Sequence, residues 1–137
     1  MPPPGPDVTE RADELRHQLI RNFDDIEKTR EERAPLYDTL CARLARGTAA
    51  TKLGLSIDIV APGKRGCPYH FHYAQEEAFV IPEGAGTLRV AGEMLALQAG
   101  DTVFIPPGAN HPTHILNHSD EPQKYLSIHP PASPQVL

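Results

Sequence analysis

The sequence predicts an all-β domain, a sandwich or barrel, preceded by N-terminal α-helices. Three observations carry that prediction. Beyond residue 48, apolar and polar residues alternate in short runs, the period of a strand. Glycine or proline punctuates those runs at near-regular intervals, as in sandwiches and barrels. Before residue 48 the apolar residues recur instead at spacings of three and four, the helical period.

Taken in order, residues 1–8 form a Pro-rich tail expected to be disordered. Residues 9–47 are expected to be helical. Asp7 or Thr9 can cap a helix whose stripe is Ala12, Leu15, Leu19, Phe23 and Ile26. Pro35 interrupts, and Leu36, Leu40 and Leu44 predict a second short helix ending at Gly47. This segment reads as a cover or a subunit contact rather than as catalytic machinery.

Residues 48–137 form the β domain. "KLGLSIDIV" sets Leu53, Leu55, Ile57 and Ile59 on one face and Lys52, Ser56 and Asp58 on the other, and Pro62-Gly63 closes the strand. Further strands are expected in "CPYHFHYAQ", "EEAFVIPEG", "TLRV", "MLALQ", "TVFIPPG", "THILN" and "KYLSIH", with a turn at Ala91-Gly92. The last eight residues, "PPASPQVL", read as an irregular tail.

A chain of 137 residues has room for one domain with a core. A net charge of -5 works against phosphate-backbone binding, so nucleic acid is not an expected partner. No apolar run approaches a bilayer span, and "MPPPGPDV" lacks the basic start and apolar stretch of a secretion signal, so a cytoplasmic protein without a membrane partner is expected. Cys41 and Cys67 are then free thiols.

The chemistry concentrates in "CPYHFHYAQEEAFVIPEG". On an extended chain His70 and His72 share a face, with Pro68 before them and with Phe71 and Tyr73 opposite. Four residues separate His72 from Glu77, which alternates in phase with Phe79 and Ile81. If Glu77 points inward with them, a carboxylate meets two imidazoles at the mouth of an apolar cavity. Such groups are costly to bury together unless a divalent cation satisfies them. Fe(II), Mn(II), Ni(II) or Zn(II) would suit the donors and leave positions open for substrate.

These residues resemble the first signature of the cupin superfamily, a small jelly-roll barrel or double-stranded β-helix, through His70, His72, Glu77 and Gly84. "GDTVFIPPGANH" resembles the second signature through Gly100, Pro106, Gly108 and His111. The resemblance spans roughly residues 49–129 and implies a metal held by His70, His72, Glu77 and His111. The second signature departs from the pattern at one point. The family's asparagine follows its histidine by four residues, and counting back four from Asn117 reaches Thr113, flanked by His114. His111 is therefore the expected fourth ligand, with His114 the alternative and a three-ligand site third.

Among neighbouring residues, Glu76 has the wrong parity for the metal, and Gln75, Asn110 or Asn117 could orient the imidazoles. Cys67 reads as a structural thiol, Arg89 as solvent-facing, and His118 and His129 as surface residues. Cupins include dioxygenases, decarboxylases, isomerases, lyases, storage proteins and ligand-sensing domains. The expectation is a metal-binding cupin acting on a small organic molecule, most simply a dioxygenase-type enzyme. The rivals are a non-catalytic binding or sensing module and a metal-dependent isomerase or lyase. No catalytic residue beyond the ligands and no organic cofactor is singled out. Exposed sheet edges and an amphipathic helix make a homodimer the expected assembly.

Overall fold

The computed structural model describes residues 6–67 and 69–130. Of the tails expected at 1–8 and 130–137, residues 1–5 and 131–137 lie outside the described residues, as does Pro68, while residues 6–8 open helix α1 instead of belonging to the tail. Helix α1 (Pro6–Leu19) is followed by β1 (Thr29–Arg33), β2 (Tyr37–Arg43), β3 (Gly54–Val60), β4 (Glu77–Glu83) and β5 (Ala85–Val90). Strands β6 (Glu93–Gln98), β7 (Thr102–Ile105), β8 (Thr113–Leu116) and β9 (Gln123–His129) complete the described chain. They form two sheets, one of six strands in the order β1-β2-β3-β9-β4-β7 and one of three in the order β6-β5-β8. The paired strands are antiparallel throughout. This is the expected jelly roll.

Between the sheets lies a core of Val60, Phe79, Ile81, Leu88, Leu97, Ile105, Ile115 and Tyr125. A second cluster, Ala42, Leu44 and Ile57, covers the outer face of the large sheet and takes Phe23, Ile26, Leu55 and Leu126 against it. The two faces of β3 therefore divide unexpectedly. Ile57 packs outward, while Ser56 and Asp58 line the interior.

The helical region is corrected in two respects. The short helix expected over Leu36, Leu40 and Leu44 is a hairpin of β1 and β2, paired from Thr29↔Cys41 to Arg33↔Tyr37. A spacing of four repeats the face of a strand as well as that of a helix, and β3 supplies the partner that decides it. The six-stranded sheet thus begins at residue 29, inside the segment expected to be helical. Helix α1 itself ends at Leu19, so Phe23 and Ile26 reach the outer cluster from a turn. Asn22 Oδ1 organises that turn by accepting from the backbone of Asp24 at 2.8 Å and Asp25 at 3.2 Å.

The turn expected at Ala91-Gly92 is present. Both residues have positive φ, 49° and 82°, the two-residue type I′ geometry that suits the twist of the β5–β6 hairpin.

Candidate metal centre

His70 and His72 lie not in a strand but on an extended segment leading into β4. That segment is clamped to β8 by two backbone bonds, His70 N–H to Thr113 O at 3.2 Å and Thr113 N–H to His70 O at 2.7 Å. A third, Gly108 N–H to His72 O at 2.7 Å, ties it to the loop before β8. The extended backbone keeps both imidazoles on one side, with their rings 5.1 Å apart and edge to face. Glu77, the first residue of β4, completes the group. One donor atom from each of His70, His72 and Glu77 lies within 4.8 Å of the others.

The electrostatics suit a cation. Burial lowers the His72 pKa, with smaller contributions from His70 and His129, so its imidazole is neutral and has a lone pair to offer. Burial raises the Glu77 pKa, partly offset by His70. His72 Nε2 and Glu77 Oε1 stand 4.0 Å apart, too far for a hydrogen bond. His72 Nδ1 is buried with no hydrogen-bond partner among the described residues. Two imidazoles and a carboxylate whose donor atoms converge are a donor set that suits a divalent ion, so the residues fit one.

The second-signature residues are arranged differently. Thr113 is buried and directly opposite His70, while His111 is half-buried before β8 and outside the three-residue group. His114 points to the other face, where Nδ1–H donates to Cys67 O at 3.2 Å and the ring packs 5.0 Å from that of Tyr69. Burial pushes its pKa down to about 4. Arg89 lies over the Tyr69 ring at 4.3 Å. Asn117 braces a turn instead of an imidazole, donating to Val60 O at 3.0 Å and Glu121 O at 2.7 Å. Glu76 and Asn110 are exposed.

The three donors open onto a cavity of about 540 Å³ lined by the large sheet and the segments before β3 and β4. Gln75 and Cys67 line it, the thiol 3.9 Å from His70 Nδ1 and pushed by burial to about 12. Asp58 also lines it. It accepts from Thr39 Oγ1 at 3.0 Å and from the Tyr125 hydroxyl, and burial raises its pKa to about 6.

His129, expected at the surface, lines the cavity as well, whereas His118 is exposed as expected. His129 Nδ1–H donates to Pro130 O at 2.7 Å. The alternation of "QKYLSIH" sets Tyr125, Ser127 and His129 on one face, which was the signal available in the sequence. Glycines make room for these side chains. A Cβ at Gly54 would overlap the His129 imidazole, and one at Gly66 the Tyr125 hydroxyl.

A jelly roll whose His-x-His and glutamate converge beside a cavity defines a class, the double-stranded β-helix carrying a candidate metal group. Residues 56–129 match the family described as Cupin domain, and the chain belongs to it. It is 38% identical over 65 residues to an uncharacterized protein of Methanocaldococcus jannaschii, covering 47% of this chain and 50% of that protein. It is 34% identical over 76 residues to gentisate 1,2 dioxygenase 1 of Aquipseudomonas alcaligenes, covering 56% of this chain and 21% of that enzyme. The chain thus spans half the length of the first relative and about a fifth of the second. Among solved structures it is similar in fold to a putative sugar phosphate isomerase from Acidithiobacillus ferrooxidans, with a TM-score of 0.76, 23% identity, and coverage of 85% of this chain and 77% of that one.

Proposed function

We propose that this cupin binds a divalent metal ion through His70, His72 and Glu77 and acts on a small organic molecule in the adjoining cavity by a dioxygenase-type reaction. The observation that carries the reading is the convergence of two imidazoles and a carboxylate, their donor atoms within 4.8 Å of one another, on a cavity of about 540 Å³, a volume typical of small-molecule sites. The likeness to gentisate 1,2 dioxygenase inclines it toward oxygen chemistry. A bound ion would supply open coordination positions for substrate and oxygen. The chain's own part is to keep His72 neutral, to present the Glu77 carboxylate, and to offer Asp58 and Tyr125 as hydrogen-bonding groups lining the same cavity.

The test is elemental analysis of untagged protein purified without chelator, then oxygen-electrode assays with gentisate and other hydroxylated aromatic acids after loading with Fe(II), Mn(II), Ni(II) or Zn(II). Oxygen uptake that depends on both metal and substrate supports the reading. Oxygen-independent turnover replaces it with isomerase or lyase chemistry. One observation favours a second reading, a binding or sensing module: the residue opposite His70 on β8 is Thr113 rather than a third imidazole. Stoichiometric ligand binding without turnover would select it.

Self-association is also proposed. Leu15, Leu19 and Ile20, on α1 and just beyond it, are exposed at 41%, 63% and 50%, and a second copy would cover them. No helix among the described residues is long and apolar enough to cross a membrane.

A further inference from the structure

Much of the cavity wall comes from outside residues 56–129. Arg43 at the end of β2, Arg46 in the turn that follows, and Leu53 and Gly54 leading into β3 all line it. That turn is braced from α1. Ala49 N–H donates to Gln18 O at 2.8 Å, and the Arg21 guanidinium donates to Gly47 O at 3.3 Å.

The charges in this wall are unevenly matched. Glu31 accepts from the Cys41 thiol at 3.3 Å, Asp58 is held by Thr39 and Tyr125, and Glu77 belongs to the metal group. Among the described residues, by contrast, neither Arg43 nor Arg46 has a carboxylate within ion-pair distance or a side-chain hydrogen bond. Two exposed guanidiniums three residues apart therefore stand at the cavity's rim without an ion-pair partner among the described residues. Such forks match a carboxylate, and the charge-assisted bonds they make are the strong ones.

The ladder sets the span. Arg43 pairs with Ser56, Ser56 with Ser127 and Ser127 with Phe79, which shares its face of β4 with Glu77. That path crosses three strand spacings, on the order of 14 Å between backbones. Arginines at one rim of the cavity and the donor group at the other thus leave room between them for a molecule about the size of one ring.

We propose that Arg43 and Arg46 form an anion subsite, and that the cavity's ligand is a small carboxylic acid held by its carboxylate at this rim and by its other end at His70, His72 and Glu77. The assignment deepens the function proposed above, and its second half rests on that reading.

Calorimetric binding of 3-hydroxybenzoate and of the uncharged 3-hydroxybenzamide to the full chain tests it, with metal-free and Mn(II)-loaded protein. The acid is expected to bind at least about tenfold more tightly than the amide in both forms. R43Q and R46Q should each cut that preference several-fold, and together abolish it with metal content unchanged. R33Q, an exposed substitution on β1 away from the cavity, should leave it intact. Equal binding of acid and amide, a preference that survives in R43Q and R46Q, or no binding of the acid at millimolar concentration overturns the subsite. Should H70A leave the metal content unchanged, the metal reading fails, and the metal-free titrations still decide the arginines. If the double variant does not fold, the two single variants decide.

Discussion

Gly54 stands directly opposite His129 in the β3–β9 ladder, and the imidazole occupies the space that a Cβ on Gly54 would fill. A side chain on one strand is thus accommodated by the absence of one on its neighbour. Gly54→Ala is expected to displace the His129 ring from the cavity wall and to cost about 1–3 kcal/mol by overpacking. Urea unfolding reads the energy, and the imidazole NMR shifts of His129 read the displacement. An unchanged midpoint and unchanged shifts would show that the ring is not confined there.

The two signatures make separable contributions to metal binding. His70→Ala and Glu77→Gln should each weaken metal affinity at least about tenfold, since each removes a donor from the group of three. His111→Ala should retain near-wild-type metal, because His111 lies outside that group. Metal content after dialysis against a weak chelator compares them. Loss of metal in His111→Ala would restore the four-ligand site that the second signature implies.

Asp58 gives the domain a pH-dependent stability. Its pKa rises from an ordinary 3.8 to about 6, chiefly through burial, so between these values the folded chain binds more protons than the unfolded one. Stability contributed at Asp58 is then fully present below pH 4 and declines as pH rises through 6. The loss is on the order of 2–3 kcal/mol and levels off above pH 7. The isosteric Asp58→Asn should remove this slope. Urea unfolding of both proteins from pH 4 to 7.5 isolates the difference, and parallel curves would mean that Asp58 titrates alike in both states.

The exposed apolar residues at the end of α1 predict concentration-dependent association. Sedimentation velocity at micromolar concentration should report a dimer for the wild type and a monomer for Leu19→Glu, with thermal stability changed by no more than about 0.5 kcal/mol. A wild-type monomer would leave Leu15, Leu19 and Ile20 as ordinary surface residues.

The parts of the site legible in the sequence are those governed by local parity. His70 and His72 share a side because extended backbone alternates, and Glu77 follows Phe79 and Ile81 inward for the same reason. The Ala91-Gly92 turn was legible through Gly92, whose φ of 82° is one glycine adopts readily, whereas Ala91 at 49° is an uncommon choice there. What was missed depends on partners distant in sequence. Leu36, Leu40 and Leu44 satisfy both helix and strand periods, and only β3 decides between them. Arg43 was hidden by that ambiguity. His129 looked peripheral at a strand end, but β9 lies between β3 and β4, which brings its inward face to the cavity. His114 illustrates the converse, a histidine in the right neighbourhood that the pleat turns to the opposite face.

The bracing of the 44–50 turn by α1 carries a consequence for how such a protein can diversify. The donor group belongs to the segment that matches the family, while Arg43 and Arg46 belong to the stretch before it, whose turn is held by Gln18 and Arg21. Chemistry and choice of ligand are therefore inherited on different pieces of chain. Exchange of the first fifty or so residues between relatives could redirect the cavity to a neutral or cationic molecule while leaving the reacting centre intact. A natural lineage could explore substrates in the same way, by drift at the exposed positions 43 and 46 while Ala42 and Leu44 keep their packing on the large sheet.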